Sequence, residues 1–320
     1  MKKILCLIQL LSVTAGFSEN PRWKYEGDSP IPARADLDVR WDVQSYIPPN
    51  EWPTKLWVYQ LAPRRFSPRE ISNLMRMCSF TEKDRVQQDT NGVTFKSPDG
   101  SRTLVISFSS GTIRYDAPEP QIRVSSVFKN VPETKEIPKL TKDFLKQIGI
   151  RLSEIQKNTN GVLYFPSSNL GRVYLTNHTF ITNIWAREVS FRRSVDGVEV
   201  IGDAGYCGLQ FGEHGKISKI ELSWPDLKRY KSAPTLKLEA ITQLIRQGKA
   251  RQGATLDNGY IDWLGVKSIA IKQAWPCYFA GDSNFLYPFL ALWTTVNVGI
   301  DCPIIDEAKL SGIQTNSPSP

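Results

Sequence analysis

The sequence predicts an α+β protein, made of two related units that each pack an amphipathic helix on an antiparallel sheet. Three observations predict it. A capped helical stripe opens at Ser67, and short alternating apolar runs separated by glycine-containing turns follow it. The tetrapeptide Thr90-Asn91-Gly92-Val93 then returns 69 residues later as Thr159-Asn160-Gly161-Val162, with a second helical stripe displaced by about the same distance. A single helix laid on one face of an antiparallel sheet buries the apolar side of both.

Three helices carry the helical half of the prediction. In the first, Ser67 is the N-cap, Pro68 takes the first helical position and Glu70 completes a capping box. Ile71, Leu74, Met75 and Cys78 follow at the spacing of one helix face. The second runs from Pro138 to Ile148, with Leu140, Phe144, Leu145 and Ile148 on one side and Gly149 as the stop. The third opens at Pro234-Thr235, carries Leu238, Ile241, Leu244 and Ile245, and stops at Gly248.

Strands fill most of the remainder. Leu56 to Leu61 is rich in β-formers, and Val93–Phe95, Leu104–Phe108 and Ile113–Tyr115 read as a meander broken at Asp99-Gly100 and Gly111. Val189 and Phe191 alternate with polar residues up to Asp196-Gly197, a type I′ turn signal. Leu209 with Phe211, the trio Ile220, Leu222 and Trp224, then Val266–Ile271 and Phe285–Val298 supply further strands. Gly202, Gly205 and Gly208 lie between strand candidates, where close approach of two chain segments is the expectation.

The ends read differently. Lys2-Lys3, the apolar run Ile4–Leu11 continued by Val13–Phe17, and Gly16 with Ser18 before the cleavage point form the three-part layout of a secretory signal peptide. The chain therefore divides into a signal peptide at 1–18, an extended arm or linker at 19–55, a first α+β unit at 56–122, a second, larger α+β unit at 123–305 and a disordered tail at 306–320. Removing eighteen residues from 320 leaves 302, and losing Lys2 and Lys3 takes the formal net charge from +8 to +6. Arg64-Arg65, Arg192-Arg193 and Lys228-Arg229 are isolated basic pairs without interleaved aromatics, so no nucleic-acid platform is expected. No later apolar run is long enough for a membrane helix.

The search for chemistry is mostly negative. His178 and His214 are the two histidines, and no His-Glu-x-x-His, EF-hand loop, Cys-x-x-Cys, Walker A loop or Gly-x-Ser-x-Gly elbow is present. No catalytic, cofactor-binding or metal-ligating residue is nominated, and no cofactor is expected. Asn177-His178-Thr179 matches a glycosylation sequon. Cys78, Cys207, Cys277 and Cys302 remain after cleavage, and their four thiols allow three pairings, of which Cys277 with Cys302 is the one a hairpin return of the intervening apolar strands would bring together. Trp263, Trp275, Tyr278, Phe279, Phe285, Tyr287, Phe289 and Trp293 either fill a core or line a ligand groove.

One stretch carries a resemblance. Arg192-Arg193 leads into Val195-Asp196-Gly197-Val198-Glu199-Val200-Ile201-Gly202, followed by Gly205, Gly215-Lys216-Ile217 and a strand ending at Trp224. Pro234, a helix with Glu239-Ala240, and then Pro276, Tyr278-Phe279 and Gly281 complete the order. Over about residues 185–281 this resembles bacterial extracytoplasmic proteins of the YycH/YycI type, and more distantly PepSY-like domains. The first resemblance implies a regulator that sits outside the membrane and restrains a sensor histidine kinase through a transmembrane helix. The second implies regulation of peptidases. This chain departs from the first pattern in its leader, which reads as cleaved rather than retained.

The expectation is thus an exported, non-catalytic binding or regulatory protein of the bacterial cell envelope, periplasmic or extracellular. It would act through a protein–protein surface on another envelope or secreted protein. The rivals are an exported hydrolase with a site assembled from scattered residues, and a small-ligand module built on the C-terminal aromatics. A nucleophile beside either histidine in a deep pocket would favour the first rival, and an aromatic-lined cleft the second. A broad exposed sheet face or edge would favour a protein partner.

Overall fold

A computed structural model describes residues 30–43, 52–123, 125–158, 160–176, 179–202, 204–255, 261–280 and 284–305. The leader at 1–18 and the tail at 306–320 lie outside the described residues. The strands are β1 (Asp38–Trp41), β2 (Lys55–Ala62), β3 (Arg85–Gln88), β4 (Gly92–Lys96), β5 (Thr103–Ser107), β6 (Thr112–Asp116), β7 (Ser167–Thr176), β8 (Thr179–Arg192) and β9 (Ser194–Val195). They continue with β10 (Val198–Gly202), β11 (Tyr206–Phe211), β12 (Ile217–Ser223), β13 (Asp226–Pro234), β14 (Arg251–Thr255), β15 (Ser268–Ala280), β16 (Phe285–Thr294) and β17 (Val298–Pro303). The helices are α1 (Pro68–Met77), α2 (Ile137–Gln147) and α3 (Leu238–Arg246).

The strands form two sheets. The first orders as β13-β2-β16-β15-β10-β9, with β1 also on β15, and β17 on β16 carrying β14. The second is an antiparallel run, β3-β4-β5-β6-β12-β11-β8-β7. Its register explains its core. Phe95 pairs with Leu104, Leu104 with Tyr115, Tyr115 with Ile220, Ile220 with Leu209 and Leu209 with Val189, so one apolar row crosses six strands on one face. Leu74 and Met75 of α1 and Phe144 and Leu145 of α2 join that buried cluster. The second cluster belongs to the first sheet, where Ile241 and Ile245 of α3 are buried with Val58, Ile271, Tyr278, Leu290 and Ile300. Each such side chain contributes roughly 1.5–3 kcal/mol by leaving water.

Several local expectations match. Ser67 accepts from the Glu70 backbone N–H at 3.3 Å, while Glu70 Oε2 accepts from the Ser67 backbone N–H at 2.6 Å, closing the capping box. Asp196 and Gly197 have φ of 52° and 80° and join β9 to β10 as a two-residue hairpin, which is the type I′ requirement. Gly205 marks a close approach, since a Cβ there would sit 2.8 Å from the Cβ atoms of both Arg193 and Val200. Part of the segment read as an arm is laid into the fold, with β1 parallel to β15 and Ile31, Leu37 and Val39 buried.

The fold class is corrected. The protein is β-rich, with 48% strand, 16% helix and, among the described residues, three short helices against sheets of nine and eight strands. It is not built from two helix-on-sheet units. The second sheet takes β3–β6 from one side of the 122/123 boundary and β7, β8, β11 and β12 from the other. The apparent repeat fails for a physical reason. Asn91-Gly92 opens β4 directly, whereas Asn160-Gly161 lies in a turn closed by Asn158 Oδ1 and an isolated Lys157–Leu163 bridge, and the next strand, β7, starts only at Ser167. Helical stripes are visible at short range. The long strand β8, of 14 residues, mixes polar and apolar side chains on both faces, and β15, of 13 residues, changes register between Ile271 and Gln273, so both escape the period-two test.

Candidate functional site

Among the described residues, a hairpin of β7 and β8 groups several exposed apolar side chains, Val173, Phe180 and Ile181. Arg187–Arg192 of β8 pair with Phe211–Tyr206 of β11, which anchors the hairpin in the second sheet. Among the described residues, Thr179–Ala186 pair with β7 alone, so the hairpin runs on past the sheet as a two-stranded ribbon. β-Branched and aromatic residues, including Val173, Tyr174, Phe180, Ile181 and Ile184, favour the extended backbone. The register shifts between Leu170 and Gly171, a bulge at which the ribbon leaves the sheet. A Cβ at Gly171 would meet the Asn183 carbonyl oxygen at 3.0 Å, so glycine suits this position.

The two faces of the ribbon differ. Tyr174 Oη donates to the Ile122 carbonyl at 3.0 Å and Asn183 Nδ2 donates to the Arg123 carbonyl at 2.9 Å, so that face rests on the connection between β6 and α2. Arg187 Nε donates to the Pro132 carbonyl of the same connection. Val173 and Phe180 share the opposite face by their register, with relative exposures of 36% and 72%, and Ile181 is 39% exposed. From Ile155 to Arg187 the sequence holds no Asp or Glu, while Lys157, Arg172 and Arg187 are cationic. Arg172 is exposed on β7.

A separate half-open cleft of ≈ 400 Å³ is lined by Arg102, Tyr115, Phe128, Trp185, His214 and Ser218, among others. His214 and Asn130 both adopt left-handed backbone, with φ of 57° and 58°. The His214 backbone N–H donates to the Asn130 carbonyl at 2.9 Å, and its Nδ1 lies 3.3 Å from Asn130 Nδ2. Ser218 Oγ donates to Gln210 Oε1 at 2.8 Å rather than to a base. The ring of His214 is thus brought to an amide and not to a hydroxyl or thiol, and His178 lies outside the described residues. Among the described residues no cluster of His, Cys, Asp or Glu is arranged to hold a metal.

The C-terminal aromatics divide by face. Trp263 and Tyr278 are buried in the core of the first sheet. Trp275, Phe279 and Phe289 lie on the other face of the same strands, with Phe279 and Phe289 edge to face at 6.0 Å, and none of the group lines the cleft. The four described cysteines are buried, and Cys78, Cys207 and Cys277 carry free thiols. Cys277 pairs with Phe289 and Cys302 with Leu290, adjacent residues of β16, so the two thiols sit on opposite faces of the sheet.

The sequence predicts strands up to Tyr115 and again from Val189, and the ribbon falls in the gap between them. The available signal was compositional: a long acid-free stretch, rich in β-formers, around Asn177-His178. No helix among the described residues is long and apolar enough to cross a membrane. No protein-family model matches the chain, and no curated protein matches it either. The crystal structure of an uncharacterized protein from Eubacterium rectale is similar over 83% of this chain and 85% of its own, at 11% identity and a TM-score of 0.43.

Proposed function

We propose that the chain is an exported, non-catalytic binding or regulatory protein of the bacterial cell envelope, and that it engages another protein through the β7–β8 ribbon. The observation that carries this reading is the exposure of Phe180, at 72%, on a strand that leaves its sheet. Exposed apolar side chains grouped on a projecting element mark interaction surfaces. The Lys2-Lys3 leader with its apolar run supports export. The order of motifs from Arg192 to Gly281 supports a regulator similar to the YycH/YycI type. Catalysis of the common hydrolytic kind requires a base within hydrogen-bond reach of a nucleophile, and His214 meets Asn130 there instead.

A photoreactive benzoylphenylalanine at position 180 tests the surface, with the same group at Leu264, 71% exposed and outside the ribbon, as the control. Irradiation of the intact native host is expected to give a discrete protein adduct from position 180, none from 264, and none from 180 when Val173→Glu is also present. Adducts of equal yield from both positions, or none from 180, would remove the ribbon from the reading. A hydrolase screen of the purified chain addresses the catalytic rival. Turnover that collapses in His214→Ala would overturn the non-catalytic reading.

A further inference from the structure

This inference rests on the ribbon as interaction surface and names how it binds. We propose that β7 takes its partner by strand addition, and that the partner segment is an extended stretch of another protein in which acidic residues alternate with apolar ones.

The edges of the two sheets differ in their protection. Natural proteins blunt their edges with shortness, Lys, Pro, bulges or inward charges. In the second sheet the opposite edge, β3, is four residues long and carries a register shift. In the first sheet the edge strand β13 carries Lys228, Arg229 and Lys231, a register shift between Arg229 and Lys231, and Pro234 at its end. β7 is ten residues long, holds Arg172 as its one charged residue and has no proline. Its bulge at Leu170 and Gly171 leaves Gly171–Thr176 as a regular ladder, paired on one side alone among the described residues. The outer N–H and C=O groups of such an edge can pair with an incoming extended segment.

The side chains of the ribbon set the pattern of the partner. Side chains on neighbouring strands share faces, and successive residues alternate between them. Val173 and Phe180 present an apolar face, so the partner's residues on that side are apolar. Arg172 stands on the other face, where a carboxylate on the partner's neighbouring residue would meet it. The absence of Asp and Glu from Ile155 to Arg187 leaves no acidic residue in that stretch to repel such a carboxylate. A second copy of this chain is a poor occupant, because edge-to-edge pairing would bring together two cationic ribbons of chains that carry +6 each once Lys2 and Lys3 are lost with the leader.

Two synthetic peptides serve as probes for the full chain at low salt, Thr-Val-Glu-Val-Glu-Val-Thr and its counterpart with Lys in place of Glu. Amide hydrogen exchange reads the site and fluorescence anisotropy reads the affinity. The acidic peptide is expected to slow exchange within 171–176 and to bind about tenfold more tightly than the basic one. Arg172→Glu should reverse that preference, a gain of binding that misfolding cannot imitate, and Arg172→Gln should abolish it. Equal binding of both peptides, no slowing at 171–176, or slowing that tracks a concentration-dependent dimer would overturn the proposal. If these arms fail while position 180 still crosslinks, strand addition falls and the ribbon surface stands. If position 180 gives no adduct, the surface itself falls.

Discussion

Arg193 holds its guanidinium 2.7 Å from the Glu154 carboxylate at the single residue separating β8 of one sheet from β9 of the other. The pair is a junction. Arg193 also donates to the Pro225 carbonyl at 2.6 Å, lies 5.2 Å over the Trp224 ring, and receives its backbone register from the Gly205 carbonyl at 2.7 Å. Residues 193, 205 and 224–225 are all points where the chain passes between sheets, so this pair ties three crossings together.

Removing one partner from that junction leaves a buried charge uncompensated. Glu154→Gln and Arg193→Met should each cost roughly 3–5 kcal/mol in urea unfolding. Burial pushes the Glu154 carboxyl up, but Arg193, Arg151 and the Trp224 N–H outweigh it and hold the group below its ordinary value of 4.5. The contribution is therefore fully present above pH 4.5 and lost as pH falls through the lower folded value. Glu154→Gln should flatten the acid limb of the stability curve. A loss under about 1 kcal/mol in both variants would mean that the junction is solvent-screened rather than structural.

The cap of α1 makes a smaller, local prediction. Ser67→Ala removes one half of the capping box and should cost about 1 kcal/mol. Leu74 is fully buried beneath the same helix, and Leu74→Ala should cost roughly 2–5 kcal/mol. Phe180→Ser, at a 72% exposed position, is the contrast, expected within about 0.5 kcal/mol of the parent. Denaturant midpoints that do not follow this order would show the helix or its buried face to be misassigned.

These sites also show what was legible in the sequence. Ser67-Pro68-Arg69-Glu70 and Asp196-Gly197 are short-range devices whose physics is complete within four residues, and both form as read. The meander β4-β5-β6 is legible for the same reason, because tight turns set its register. The sheets themselves are not. Val39 pairs with Ile269 and Leu56 with Ala233, partners that no local period announces. The ribbon is hidden because Phe180 and Ile181 are adjacent and belong to opposite faces, which breaks alternation. Arg193 and Glu154 are likewise joined only by the crossing of two sheets.

The cysteines should behave as inert core residues. Burial pushes the Cys78 thiol up to about 12 and raises those of Cys207 and Cys277 well above their ordinary range. Cys302 is buried as well. Since the thiolate is the reactive form, none of the four should react with Ellman's reagent at pH 8 in the native state. Cys78, Cys207 and Cys277 should react in denaturant without added reductant, as peptide mapping would show. Prompt native labelling of any of these three, or one that stays blocked after unfolding, would contradict their free, buried arrangement.

Tyr59 and Asp196 are joined across the first sheet. The Tyr59 hydroxyl donates to Asp196 Oδ2, and Arg229 reaches the other carboxylate oxygen at 3.3 Å. The ring is buried and stands edge-on to Tyr278 at 5.6 Å. Burial is the largest cause and the bond to Asp196 the next, and together, against the opposing pull of Arg229, they push the Tyr59 phenol up to about 12 from an ordinary 10. The folded state therefore holds this proton more tightly than the unfolded one. Its stabilising contribution is complete below pH 10 and is lost as pH rises through about 12. Tyr59→Phe should delete a late step from the 295 nm absorbance titration and soften the fall in stability above pH 10, at a cost near 1 kcal/mol at neutral pH for the lost hydrogen bond. Asp196→Asn replaces the charged acceptor with a neutral one and should bring Tyr59 ionisation to lower pH without removing it. A wild-type titration in which every tyrosine ionises near pH 10 while the fold persists would show that Tyr59 and Asp196 are not joined.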